Sequence, residues 1–367
     1  MLRRIKLHNF KCFESLDLSC APLTLLCGLN GMGKSSVLQS LLMLRQSCEG
    51  GKLKNNRLIL NHDLISLGTG KDILYEGASI DKMTFELLHE NDTSHVFTAD
   101  YAAESDQLNA EEQSSPEKLR DVPPLDGQLW YVNAERIGPR KIYDRSEALA
   151  RRGELGSQGE YALNYLSTYR NMLLPEGDHR CSDLKSRGLS NVLDHWLQKV
   201  APGAHLHIDT IPDANALLSG FVFDQPGDTQ SNRYLATNVG FGLSYVLPVM
   251  IALLAPENTL CLIENPEAHL HPQGQLVLAE LAVRASISGV QVIIETHSDH
   301  FMNGVRIAVR EDLIRPQQAT FHYFERKDGK AVVSSPDIGA DGRLSSWPAG
   351  FFDQHEESLA KLLALKL

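Results

Sequence analysis

Gly28-Leu-Asn-Gly-Met-Gly33-Lys34-Ser35 follows the pattern G-x-x-x-x-G-K-S, in which glycines free main-chain N–H groups to surround an anion. The chemistry this serves is the holding of a phosphate chain. Lys34 reaches the β- and γ-phosphates, Ser35 ligates Mg²⁺, and the start of the next helix adds partial positive charge. The candidate nucleotide-binding residues of this turn are Asn30, Gly31, Gly33, Lys34, Ser35 and Ser36. Such a site also needs an acid at the end of a buried strand elsewhere in the chain. Leu260-Cys-Leu-Ile-Glu264 supplies one, which makes Glu264, with Ser35, the expected metal-side ligand; read alone, Glu264 is an ordinary strand-to-loop acid.

These residues work only if rigid elements hold them, and the patterning provides such elements. Leu2, Ile5 and Leu7, then Phe13, Leu16 and Leu18, alternate with polar residues ahead of an apolar run at Leu23 to Cys27, which predicts strands leading into the glycine turn. Leu38, Leu41, Leu42 and Arg45 continue at helical spacing until Gly50 and Gly51. From Asn238 the order is helix, strand (260–263), helix (273–285), strand (290–295), helix (300–309) and two strands (319–325 and 331–335). That alternation predicts an α/β fold with a largely parallel sheet, flanked by helices, of the P-loop nucleotide-hydrolase type.

Between these ends the reading is coarser. Residues 1–100 form the first part of the core, with short strand-like pieces near 58–60, 83–88 and 96–99. Residues 101–126, rich in Glu, Asp, Ser and Gln, are expected to be a flexible acidic loop. Residues 127–235, with a strand at 129–132 and helical patterns at 161–173 and 189–200, are expected to be an inserted, mainly helical lobe. Residues 236–335 complete the core, and 336–367 form a C-terminal module.

The 367 residues are 43% hydrophobic and 22% charged, an ordinary globular balance, and the net charge of −11 argues against a uniformly basic nucleic-acid coat. A local basic group at Arg136, Arg140, Lys141, Arg145, Arg151 and Arg152 leaves DNA or RNA contact open. Interleaved Glu135, Asp144, Glu147 and Glu154 fit an exposed salt-bridged helix equally well. The six cysteines show no paired metal-type spacing and are expected to be reduced. No unbroken apolar stretch follows Arg3, Arg4 and Lys6, and the apolar run at 245–255 contains Pro248 and is too short to span a bilayer, so a cytoplasmic protein without membrane contact is expected.

Several stretches together resemble a family. Glu264-Asn-Pro-Glu267-Ala-His-Leu-His-Pro272 and Ile293-Ile-Glu-Thr-His297-Ser-Asp299 are similar to motifs of the ABC-type ATPase heads of SMC-like and overcoming-lysogenisation-defect ATPases. Ile5-Lys-Leu-His-Asn-Phe10-Lys resembles their first strand, Asn238-Val-Gly-Phe-Gly-Leu-Ser244 their degenerate signature, and Ala134-Glu-Arg-Ile-Gly-Pro139-Arg another shared stretch. Trp347-Pro-Ala-Gly-Phe-Phe-Asp353-Gln resembles an uncharacterised C-terminal module of a bacterial subgroup. The resemblance implies an ABC-ATPase-like head with a mixed sheet, using ATP and Mg²⁺. It also implies a homodimer or higher homo-oligomer in which Gly240, Gly242 and Ser244 touch the partner's γ-phosphate, although the same residues suit a tight turn before an apolar helix. His297 matches the switch histidine that bonds the γ-phosphate or the attacking water.

One position departs from the pattern. Asn265 stands where a glutamate commonly polarises the lytic water, and an amide orients water without taking its proton. Either Glu267 substitutes, or the γ-phosphate takes the proton, or hydrolysis is slow; a slow, switch-like ATPase is the expectation. His269, His271, His297, Asp299 and His300 also have spacings compatible with a metallohydrolase cluster. No nuclease-type carboxylate cluster is evident after His297, so the resemblance implies a defence ATPase with a separately encoded nuclease or toxic effector. The alternative is a nucleic-acid-stimulated repair or recombination ATPase without one.

Overall fold

The structure, a computed structural model, describes residues 1–49, 53–112, 123–227 and 229–346. The chain opens with β1 (Leu2–Phe10), β2 (Phe13–Ser19) and β3 (Leu23–Gly28), and α1 (Lys34–Glu49) follows the glycine turn at once. Gly50 and Gly51, expected to stop that helix, lie outside the described residues. Next come β4 (Arg57–Ile59), α2 (Gly70–Ile73), β5 (Lys82–His89), β6 (Ser94–Asp100), β7 (Gln107–Glu112) and β8 (Leu129–Val132). The central part holds β9 (Ile142–Asp144), α3 (Glu147–Arg152), α4 (Ala162–Tyr169), α5 (Leu189–Val200), β10 (Ala204–Ile211), β11 (Ala216–Gln225), β12 (Thr229–Gln230) and β13 (Tyr234–Leu235). The last part runs α6 (Phe241–Leu253), β14 (Leu260–Glu264), α7 (Pro272–Ile287), β15 (Gln291–Glu295), α8 (Asp299–Arg310), β16 (Ala319–Lys327) and β17 (Lys330–Ser334).

The core sheet has the order β17-β16-β3-β15-β14-β8, parallel except for β17. Its inner strands β3, β14 and β15 are buried on both faces, which is why they read as continuous apolar runs. Leu23, Leu25 and Cys27 of β3, with Cys261, Ile263, Val292 and Ile294, join the cluster formed with α6, α7 and α8. Leu26, Leu260, Leu262 and Ile293 pack in the other cluster with Val37, Leu38, Leu41 and Leu42 of α1. That second cluster is closed by an antiparallel sheet of order β2-β1-β5-β6-β7-β4, whose Ile5, Leu7, Phe85 and Phe97 are fully or almost fully buried. α1 is therefore enclosed between two sheets, and its first turn is fixed beside the ends of β3, β14 and β15.

The middle of the chain differs from the expectation in three ways. Gln107–Glu112, expected in a flexible loop, is a strand between β6 and β4 because Leu108 and Ala110 supply the two inward positions that so polar a segment needs. The rest of that acidic segment, 113–122, lies outside the described residues. β8 belongs to the core sheet beside β14, so the inserted region begins after it. The insertion contains the helices read from the sequence and, in addition, a five-stranded antiparallel sheet built on the β10–β11 hairpin. Asn215, in the left-handed conformation that asparagine tolerates, makes its turn.

Candidate functional site

The glycine turn takes its shape from positions that admit no side chain. Gly28 has φ +129°, and a Cβ there would stand 2.2 Å from the carbonyl oxygen of Phe324 in β16. Gly33 has φ +100°, and its Cβ would meet Cys12 Sγ at 2.5 Å. Lys34, buried, donates from Nζ to the carbonyls of Gly28 at 2.9 Å and Leu29 at 2.6 Å, which ties the turn across its mouth. An ammonium has three donors, so one remains for a phosphate oxygen.

The turn and the distant strand ends line one cavity of about 490 Å³, together with Lys11, Cys12, Gln39 and Ala134. Of the expected residues, Asn30, Gly31, Gly33, Lys34, Ser35, Ser36, Glu264, Asn265 and His297 all face it. Two further members, Lys11 and Glu295, have no role that the sequence alone assigns. Lys11 sits in the left-handed region and donates to Gln39 Oε1 at 2.5 Å. Glu295, at the end of β15, accepts the Ser35 hydroxyl on Oε1 at 3.0 Å, while its Oε2 is buried without a partner.

Glu264 is engaged differently. Its Oε1 accepts from the Tyr131 hydroxyl at 2.9 Å and its Oε2 from the Ala134 N–H at 3.3 Å. Burial raises the carboxyls of Glu264 and Glu267, and burial beside Glu264 pushes Glu295 up to about 7. Burial, aided by the nearby Lys34, also lowers His297, which keeps its ring neutral near pH 7. Asn265 leaves β14 at φ +43°, donates its N–H to the Glu295 carbonyl at 2.8 Å and buries an unpartnered Oδ1.

Glu267 braces the loop. One carboxylate oxygen accepts the Thr296 hydroxyl and the other the His297 N–H, both at 2.8 Å, so the strand-end loop is fastened to the end of β15. Arg136 braces the same loop as well. It is buried, donates from Nη2 to the carbonyls of Glu264 and Asn265 at 2.5 Å each, and stacks 4.8 Å from the Tyr245 ring centre. It therefore leaves the basic group read from the sequence. Arg151 and Arg152, by contrast, are exposed and paired with Glu147 and Glu154.

The segment expected to act in trans divides. Gly240 caps α6 in solvent with open space where a Cβ would go, and Phe241 beside it is exposed. Gly242 passes the His269 carbonyl so closely that a Cβ would stand 2.4 Å from it. Ser244 lies a turn into the helix, and its hydroxyl is buried without a hydrogen-bond partner. The histidines whose spacing also suits a metallohydrolase are engaged elsewhere. His271 caps α7 by accepting from the Gln273 N–H at 3.3 Å, His269 packs on the Phe241 and Tyr245 rings, and among the described residues no three His, Cys, Asp or Glu side chains are grouped to hold a metal. No helix among the described residues is long and apolar enough to cross a membrane.

A strand-framed phosphate turn, a helix starting from it and acids on neighbouring strand ends define a P-loop ATPase. The model described as AAA ATPase domain matches residues 1–120 and 186–302, more than half the chain, and the chain belongs to that family. A second model, described as a protein of unknown function (DUF3696), matches 314–362; it includes β16 and β17 and so begins well before residue 336. Its segment from Trp347 lies outside the described residues. A curated relative, the OLD nuclease of Thermus scotoductus, is 44% identical over 41 residues, which span 11% of this chain and 8% of that protein.

Solved structures share the fold. An SMC head bound to the C-terminal winged-helix domain of ScpA aligns with TM-score 0.57 and 14% identity over 92% of this chain and 98% of that one. The SMC head of Thermotoga maritima aligns with TM-score 0.50 and 10% identity over 92% and 99%. An SMC head with an extended coiled coil, bound to the C-terminal domain of ScpA derived from Pyrococcus furiosus, gives 0.52 and 14% over 98% and 99%. The fold is that of an SMC-type ATPase head, and the chain, as a member of the AAA ATPase domain family, is an ATP hydrolase.

Proposed function

We propose that the chain is an ATP-dependent conformational switch, in which Mg²⁺ and ATP occupy the cavity between the glycine turn and the ends of β14 and β15. The observation that carries this reading is the convergence of Lys34, Ser35, Glu264, Glu295 and His297 on that one cavity. A hydroxyl and two carboxylates are the hard oxygen donors that suit Mg²⁺, and the orphaned Oε2 of Glu295 is the kind of buried atom a hydrated cation satisfies. Bound Mg²⁺ supplies neutralisation of phosphate charge. Lys34 contributes its free donor to the phosphates, the turn contributes main-chain N–H groups, and neutral His297 positions a γ-phosphate oxygen or the attacking water. Asn265 orients that water without accepting its proton, which makes the hydrolysis slow.

The exposed start of α6 at Gly240 supports closure of a head-to-tail homodimer, with hydrolysis reopening it and the central insertion passing the change to a partner. Defence against phage or foreign DNA, with a separately encoded nuclease or toxin, draws on the resemblance of the 264–272 and 293–299 stretches. Nucleotide binding by calorimetry and ATP-induced dimerisation by light scattering test the switch. Lys34→Ala is expected to abolish both, and unchanged dimerisation in that variant removes the reading. Pull-down of the native complex tests the partner: recovery of no effector removes the defence role.

A further inference from the structure

We propose that Glu295 is the protein acid that serves the nucleotide's divalent cation beside Ser35, so that Glu264 and Glu295 form a two-carboxylate site instead of Glu264 acting alone. This inference rests on the reading that ATP and Mg²⁺ bind at the 28–35 turn. It begins from strand order. β15 lies between β3 and β14, with Glu295 in register with Leu26 on one side and Glu264 on the other. Neighbouring strands are about 4.8 Å apart, so Glu295 leaves the sheet one strand from the glycine turn, whereas Glu264 leaves it two strands away.

Facing is settled by alternation. Ile293 and Leu262 pack in the cluster with α1, and Glu295 and Glu264 stand two residues further along the same strands, so both carboxylates continue the row that faces the helix. Glu295 consequently meets the first turn of α1 and accepts the Ser35 hydroxyl at 3.0 Å. Glu264, further out, has both oxygens occupied by Tyr131 and the Ala134 N–H. The carboxylate oxygen left unpartnered and buried next to Ser35 belongs to Glu295. His297 Nε2 is 4.0 Å from the other oxygen of Glu295, which puts the switch histidine and this acid within reach of the same phosphate group. A purely structural Glu295 would do no more than cap α1 through Ser35, and Gln does that as well as Glu.

The test separates these roles by the metal dependence of nucleotide binding. Titration of ATP into the full chain is made with excess EDTA and with Mg²⁺, for the wild type, Glu295→Gln and Glu264→Gln. In Glu295→Gln the affinity in EDTA is expected to stay within about threefold of wild type, while the gain on adding Mg²⁺ falls by about tenfold or more, the scale at which loss of a metal-supporting group acts. A Mg²⁺ gain that survives intact in Glu295→Gln and disappears only in Glu264→Gln overturns the inference and leaves the phosphate-site reading standing. Absence of nucleotide binding in the wild type defeats that underlying reading instead.

Crystals of the wild type with Mn²⁺ and a non-hydrolysable ATP analogue give a measurement that needs no variant to fold. The anomalous Mn²⁺ peak is expected to contact Glu295 directly or through one shared water. A peak sharing neither with Glu295 refutes the proposal.

Discussion

Glu267 and His297, thirty residues apart in sequence, are joined by the His297 N–H donating to the Glu267 carboxylate at 2.8 Å, with the Thr296 hydroxyl donating to its other oxygen. Both oxygens of this acid hold the end of β15 and the backbone of the histidine in place.

A glutamine at 267 can keep both contacts, accepting the N–H on its oxygen and donating its amide to the Thr296 hydroxyl. Glu267→Gln is therefore expected to hydrolyse ATP within about threefold of wild type in single-turnover assays, while Glu267→Ala loses about 1–3 kcal/mol of stability and hydrolyses more slowly. A fall of about 10²-fold or more in the glutamine variant would identify Glu267 as the base after all.

Asn265 occupies a left-handed conformation that suits asparagine better than glutamate. Asn265→Glu is expected to speed single-turnover hydrolysis by supplying a proton acceptor beside the cavity, at a cost of about 1–2 kcal/mol in urea unfolding. Unchanged hydrolysis in a folded variant would show that position 265 does not approach the water.

The open space at Gly240 allows a change that leaves the subunit intact. Gly240→Glu is expected to bind ATP normally and to lose about 1 kcal/mol or less, yet to abolish ATP-induced assembly by placing a negative charge opposite a phosphate. Light scattering that still reports dimers with ATP would rule out this end of α6 as the contact.

His89 and His95, stacked edge to face at 5.5 Å in the antiparallel sheet, make stability depend on acid. Burial, with His95 and the N-terminal ammonium adding to it, lowers His89 from 6.5 to about 4. The unfolded chain therefore binds the proton more readily. The contribution of His89 is fully present above pH 6.5 and is lost as pH falls toward 4, amounting to about 3 kcal/mol. Urea unfolding at pH 7 and pH 4.5 should show a shallower acid loss in His89→Phe than in wild type; equal losses would place the acid sensitivity elsewhere.

The parts of this site that a sequence declares are those whose chemistry is local. The turn at 28–35 needs glycines, a lysine and a serine in succession, and the flanking apolar and helical patterns lie next to it. Glu295 has no role that its own motif declares, because what makes it matter is the insertion of β15 between β3 and β14, which sets it beside Ser35, 260 residues away in the chain. The burial of Ser244 is a relation of the same kind: spacing puts it near Gly240, but the helical turn between them carries its hydroxyl into the core. β7 is not legible in the sequence because only two inward contacts, Leu108 and Ala110, hold a segment whose remaining residues are polar.

The close approach of Gly28 to the Phe324 carbonyl links the two regions recognised by separate family models. β16 supplies the outer neighbour of β3 through six paired positions from Ala319 to Phe324. Without that strand the ladder groups of β3 would become an open edge, ready to recruit foreign strands, and the phosphate turn would lose the wall against which its first residue is pressed. Whatever perturbs the tail of this molecule thus has a route to the nucleotide one strand wide.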